Sequence, residues 1–116
     1  MIAKFDRFVL DSGRRLLLDG DRAVTVPPKA FDLLELLIRR APNVVSKETI
    51  ASTVWRDDAP SDASVAMAVT ELRKALGETA GRAQFIRTAH RRGYAFGGEV
   101  ERVDGSAGAD APKFWP

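Results

Sequence analysis

Between Ala30 and Ile38 the apolar positions recur with helical spacing. Ala30, Leu33, Leu34 and Leu37 fall on one face, with Phe31 and Ile38 beside them, while Lys29, Asp32, Glu35 and Arg39 lie largely elsewhere. Pro27-Pro28 suits the start of this helix, because the first turn has no use for the missing N–H. Ala41-Pro42-Asn43 marks its end. Upstream the period changes to two. Residues 4–26 read as short strands: Phe8 and Leu10 alternate with Val9, Leu16 and Leu18 follow the Asp11-Ser12-Gly13 turn, and Ala23–Val26 follow the hairpin dipeptide Asp19-Gly20. Together they suggest a small antiparallel meander.

Downstream, Val44 and Val45 precede Ser46, a suitable N-cap. A short second helix should follow, with Ile50, Val54 and Trp55 facing inward, and then a polar loop from Arg56 to Pro60. Ser61 or Asp62 can cap a third helix, over about 61–76, which Gly77 would end. Val65, Val69, Leu72 and Leu76 form a narrow stripe at roughly 100° per residue, so this face should anchor the helix. The opposite side carries Ala63, Met67, Thr70 and Lys74, flanked by Ala66 and Glu71, an unusually small and apolar set for a face meeting only water. Gln84–Ala89 and Tyr94–Phe96 then read as two strands around the turn His90-Arg91-Arg92-Gly93, a hairpin over about 85–97 with a basic tip. Trp55, Tyr94 and Phe96 are expected in the core.

Composition narrows the function classes. The 116 residues suit one domain, expected over 1–100, with 101–116 a linker or flexible tail. The absence of cysteine excludes disulfides, thiolate zinc sites and thiol nucleophiles, and fits a reducing, cytoplasmic setting. There is no Ser/His/Asp set, phosphate-binding glycine loop or metal-ligand spacing, so the chain is expected not to be an enzyme and to need no cofactor. No apolar run approaches the ~20 residues of a bilayer span. Met1–Phe8 alternate charged and aromatic residues, unlike a signal peptide. The net charge of +2 is too small to argue for nucleic acid alone. Its distribution says more: between Glu71 and Arg92 six cations (Arg73, Lys74, Arg82, Arg87, Arg91, Arg92) face two acids (Glu71, Glu78), a local +4.

Several segments now resemble one family in order. Val26–Leu34, Val44–Glu48, Val54-Trp55, Glu71–Gly77, Ile86–Thr88 and Arg92–Phe96 are similar to the OmpR/PhoB-type winged helix-turn-helix family over about residues 5–100. The ordered combination is specific, although no single segment is. The resemblance implies an α+β winged helix-turn-helix: an N-terminal antiparallel β-sheet, three helices and a C-terminal β-hairpin wing. It also implies a bacterial transcriptional regulator domain that binds double-stranded DNA, with the third helix in the major groove and the wing at the minor groove. The loop from Trp55 to Pro60 would meet RNA polymerase, and the domain would dimerise on paired sites. With Met1 directly before the first strand, the arrangement is similar to ToxR-like regulators without an N-terminal receiver. Further domains, a membrane tether included, would follow in a longer parent protein.

By the same resemblance, Ala63, Ala66, Met67, Thr70 and Glu71 match base-contact positions, and Ser64 is counted with the DNA-facing set. Ala and Met can touch thymine methyls, and Glu71 either accepts from cytosine or repels DNA. Arg73 and Lys74 match a phosphate-contacting segment, with a pairing of Arg73 to Glu48 or another carboxylate as the rival role. Lys47 either joins the helix N-terminus at a phosphate or is simply solvated. Thr88, His90, Arg91 and Arg92 form the wing, where arginine suits a narrow minor groove. His90, the one histidine, reads as a wing-tip polar residue without partners for a metal site. The alternative is a degenerate winged helix that binds a protein through the Ala63/Ala66/Met67 face.

Overall fold

A computed structural model describes residues 1–56, 60–78, 85–89 and 91–102. They form two compact units, Met1–Val24 with 99–102, and Thr25–Gly98.

The first unit is a five-stranded antiparallel sheet. Its strands are β1 (Ile2–Phe5), β2 (Phe8–Asp11), β3 (Leu16–Asp19) and β4 (Arg22–Val24), and its order is β4-β3-β2-β1-β8, with β8 being Glu101–Arg102. The register places Ala3 opposite Leu10, Phe5 opposite Phe8, and Leu10 opposite Leu17. Side chains alternate across a strand, so these residues share one face, and all five are buried. The Phe5 and Phe8 rings stack at 5.4 Å. The expected meander is present with two additions. Ile2–Phe5 is a further strand, and Glu101 and Arg102 pair with Lys4 and Ala3, two residues into what the sequence suggested was tail.

The second unit holds three helices and a three-stranded sheet. The helices are α1 (Pro28–Arg40), α2 (Lys47–Val54) and α3 (Asp62–Ala75). The sheet runs β5-β7-β6, where β5 is Val45–Ser46, β6 is Ile86–Ala89 and β7 is Gly93–Phe96. In α1 proline occupies the first turn as expected, and Glu35 pairs with Arg39 at 2.9 Å, one turn on. All six of the predicted α1 core residues are buried, as is Leu36. α1 packs on α2, α3 and β7 and so carries the centre of this unit. Lys29 Nζ donates to the Val54 carbonyl at 3.0 Å, which ties the start of α1 to the end of α2.

The expected caps form. The Ser46 hydroxyl accepts from the Thr49 N–H at 3.1 Å, and the Ser61 hydroxyl from the Ser64 N–H at 3.1 Å. At the end of α3, Gly77 adopts φ 74°, its N–H donates to the Lys74 carbonyl and the Glu78 N–H to that of Arg73. That pair of bonds satisfies carbonyls the last turn would otherwise leave open. The predicted phase of α3 holds: Val65, Val69, Leu72 and Leu76 are all buried, with Ala68 beside them. Leu72 has no exposed surface, so Leu72→Ala should leave a cavity and cost roughly 2–5 kcal/mol. The check is the denaturant midpoint; an unchanged midpoint would contradict this packing. Phe96 is in the core, stacked on Phe85 at 5.9 Å, but Tyr94 and Trp55 are half-buried. In β7 the buried neighbours of Phe96 are Ala95 and Gly93, so strand alternation alone misplaced Tyr94.

Candidate nucleic-acid interface

α3 presents a continuous outward face. Ala63, Ser64, Ala66, Met67, Thr70, Glu71 and Lys74 are all exposed. Met67 keeps 64% of its surface, the most of any large apolar residue described. Two hydroxyls on this face are already engaged. Thr70 Oγ1 donates to the Ala66 carbonyl one turn back at 3.0 Å, and Ser64 Oγ lies 3.1 Å from Ser61 Oγ. Glu71 and Lys74 carry the unspent polar groups of the face, with no ion-pair partner among the described residues.

Arg73 turns away from this face. Its guanidinium Nη2 donates to the Ile86 carbonyl at 2.9 Å and to Thr88 Oγ1 at 3.1 Å, and its Nε is buried. The expected phosphate contact does not fit this placement, and the rival pairing with Glu48 is absent among the described residues. Arg73 is instead a strut that fixes β6 against the last turns of α3. Both bonds come from Nη2 at the end of the guanidinium, and lysine carries its single nitrogen on a shorter side chain that falls short of that position. Arg73→Lys should therefore loosen the wing by about 1–3 kcal/mol. Amide exchange should accelerate at Thr88 and Ala89 more than in α1, and equal protection in the variant would remove this role.

A second strut was not foreseen. The Glu78 carboxylate accepts from the N–H groups of Phe85 and Ile86, both at 3.3 Å, at the entry to β6. In the sequence Glu78 counted only as opposing charge. Lys29, with its bond to the end of α2, was likewise placed only as a polar-face residue.

The wing is the β6–β7 hairpin. Ile86 pairs with Phe96 and Ala89 with Gly93. The Arg92 N–H donates to the Ala89 carbonyl at 2.8 Å and closes the turn, with Arg91 at φ 66°. Arg91 and Arg92 are both exposed, without ion-pair partners among the described residues. A non-glycine residue in this left-handed region is uncommon and costs backbone energy, a pattern that concentrates at functional turns. His90 lies outside the described residues. Gly93 makes the close approach of β5 achievable: Ser46 pairs with Gly93, and a Cβ there would overlap the Val45 carbonyl. Lys47, half-buried at the first turn of α2, follows that pair directly, at the same end of the sheet as Arg91 and Arg92. Thr88 is exposed and accepts from Arg73, which leaves its own proton available.

A helix with one exposed face, strutted to a hairpin with two exposed arginines at its tip, defines a winged-helix nucleic-acid-binding domain. Residues 21–96 match the family of the transcriptional regulatory protein C-terminal domain. The chain belongs to this family, the OmpR/PhoB-type DNA-binding domains of transcriptional regulators. It is 33% identical over 92 residues to the transcriptional regulator HilA of Salmonella typhimurium, covering 79% of this chain and 16% of HilA. It is 37% identical over 91 residues to the transcriptional regulatory protein QseB of Escherichia coli O157:H7, covering 77% of this chain and 39% of QseB. Among solved structures, the Klebsiella pneumoniae RstA DNA-binding domain in complex with the RstA box superposes with a TM-score of 0.73 at 26% identity, covering 82% of this chain and 95% of that one. The DNA-binding domain of E. coli CadC shares the fold, with a TM-score of 0.77 at 21% identity over 88% of this chain and 96% of that one. The chain thus spans a minor part of both curated regulators. Among the described residues no helix is long and apolar enough to cross a membrane.

Proposed function

We propose that this domain docks α3 in the major groove of duplex DNA and the β6–β7 wing at the adjacent minor groove, and that it regulates transcription by binding, without catalysis. The observation that carries this reading is the Arg73 strut, which joins the exposed α3 face to the hairpin bearing Arg91 and Arg92. The major groove admits a helix, and a narrow minor groove attracts arginine through its concentrated negative potential.

The residue roles divide accordingly. Met67, Thr70 and Glu71 face base edges, with Ser64 near the N-terminal end of the same helix. Lys74 and Lys47 meet phosphates, Lys47 together with the first turn of α2. Arg91 and Arg92 enter the minor groove, Thr88 donates to the backbone beside them, and His90 adds a polar group at the tip. Arg73 orders the two reading elements without touching DNA. Residues 1–102 would act as the DNA-binding domain and the remainder as a linker within a longer, cytoplasm-facing regulator. HilA and QseB, both transcriptional regulators in which the matching region is a minor part, support that reading. The segment Trp55–Pro60, of which 57–59 lie outside the described residues, would contact RNA polymerase, and two copies would occupy paired sites.

Chemical footprinting tests the groove assignment. Dimethyl sulfate methylates guanine N7 in the major groove and adenine N3 in the minor groove. On a duplex enriched from a random pool by this domain, both positions should be protected, in adjoining blocks. Free reactivity of a guanine N7 lying within the half-site under α3, or of adenine N3 under the wing, would overturn the docking.

The rival protein-binding reading rests on an apolar groove of about 260 Å³ beside Met67, which Trp55 and Lys29 also line. Such a module has no use for two exposed arginines at a hairpin tip, so the wing favours DNA.

A further inference from the structure

The outward face of α3 is poor in the groups that read purines. Arginine and lysine address guanine, and asparagine and glutamine address adenine, by paired hydrogen bonds in the major groove. α3 contains no asparagine or glutamine, and its one arginine, Arg73, is turned to the wing, where Nη2 donates to Ile86 and Thr88. Lys74 stands at the C-terminal end of the helix. Between Ala63 and Thr70 the exposed groups are the methyls of Ala63 and Ala66, the Ser64 hydroxyl held 3.1 Å from that of Ser61, the thioether of Met67, and Thr70. The Thr70 hydroxyl proton is committed to the Ala66 carbonyl, which leaves its γ-methyl as the group without a hydrogen-bond role. This strip rises about 10 Å at ~1.5 Å per residue, and spans about three base pairs at ~3.4 Å each.

We propose that α3 reads thymine C5-methyl groups, so that the half-site under the helix is rich in T·A pairs and is not anchored on guanine. The inference rests on the DNA-binding reading above and names what that face recognises. The thymine methyl is the one apolar feature that distinguishes a base pair in the major groove. Charge complementarity selects this occupant over an apolar protein surface. Lys74 ends the strip, and Arg91 and Arg92 stand exposed on the hairpin that Arg73 ties to the same helix. Cations around an apolar strip match a groove with methyl groups on its floor and phosphates along its edges. Glu71, on the same face, accepts from the N6 amino group of the adenine paired to a thymine, or from cytosine N4.

The test uses the whole chain and a duplex selected from a random pool. Each thymine is replaced in turn by deoxyuridine, which removes the methyl and keeps the base pairing. Expected is a roughly fourfold loss of affinity at each of one to three positions in the half-site, the effect of about 0.8 kcal/mol per buried methyl group. Met67→Ala, a change at an exposed side chain, should bring the thymine-to-uracil ratio toward one at the position Met67 covers. Tight binding with equal affinity for thymine and deoxyuridine throughout would overturn methyl readout and leave DNA binding intact. Deoxyuridine effects that persist unchanged at every position in both Met67→Ala and Thr70→Ser would also overturn it, because the methyls would then act through DNA shape. Binding to no duplex, even at low salt, would overturn both readings together.

Discussion

Arg91→Ala combined with Arg92→Ala should weaken duplex binding roughly a hundredfold. Each guanidinium contributes at least the lower end of the ~1.5–3 kcal/mol of a charge-assisted hydrogen bond, and about 1.4 kcal/mol is a factor of ten. The loss should be similar for related and unrelated sequences, because these cations meet phosphate and groove potential more than base edges. The slope of log affinity against log salt should fall by about one to two, at ~0.9 per released counterion. Both side chains are exposed and without ion-pair partners among the described residues, so the folded domain should keep its thermal midpoint. Salt-series titrations of wild type and double variant provide the check. An unchanged affinity and slope would remove the wing from the interface.

Gly93→Ala should be among the most damaging single substitutions. Gly93 sits at φ 152°, a conformation that side chains rarely adopt, and an added Cβ would collide with the Val45 carbonyl. Backbone strain of this kind costs about 1–3 kcal/mol, and overpacking typically another 1–3 kcal/mol. Unlike the end of a flexible side chain, a backbone carbonyl in a strand has little room to move. β5 should separate from β7 and take the start of α2 and Lys47 with it. A lowered denaturant midpoint, together with lost amide protection at Tyr94, is the expected signature. Wild-type protection in the variant would show that β5 yields without cost.

The elements that the chain states locally were legible from residue order. The phase of α3 follows from Val65, Val69, Leu72 and Leu76, and its ends from Ser61 and Gly77. These signals act within one or two turns, so they survive without knowledge of the fold. β5 and β8 were not legible, because a two-residue strand has no period of its own. Val45-Ser46 and Glu101-Arg102 are strands by virtue of their partners in β7 and β1. β1 was not told apart from β2 for a related reason, the tight turn between them at Asp6-Arg7 carrying neither glycine nor proline.

The same division holds for the interface. Exposure of Met67, Thr70, Glu71 and Lys74 follows from helical phase alone. The role of Arg73 does not, since a guanidinium at that position serves a phosphate or a carbonyl equally well until the wing is in place. Glu78 shows the reverse case: a carboxylate read as opposing charge holds two backbone N–H groups at the root of β6.

The first measurement is the affinity of the chain for a random-sequence duplex, by fluorescence anisotropy across a salt series. Binding in the range of roughly 10⁻⁴–10⁻⁶ M near physiological salt, tightening steeply as salt is lowered, is expected of a domain that releases counterions from phosphates. An affinity that ignores salt, or no binding at low salt, would contradict DNA docking through α3 and the wing.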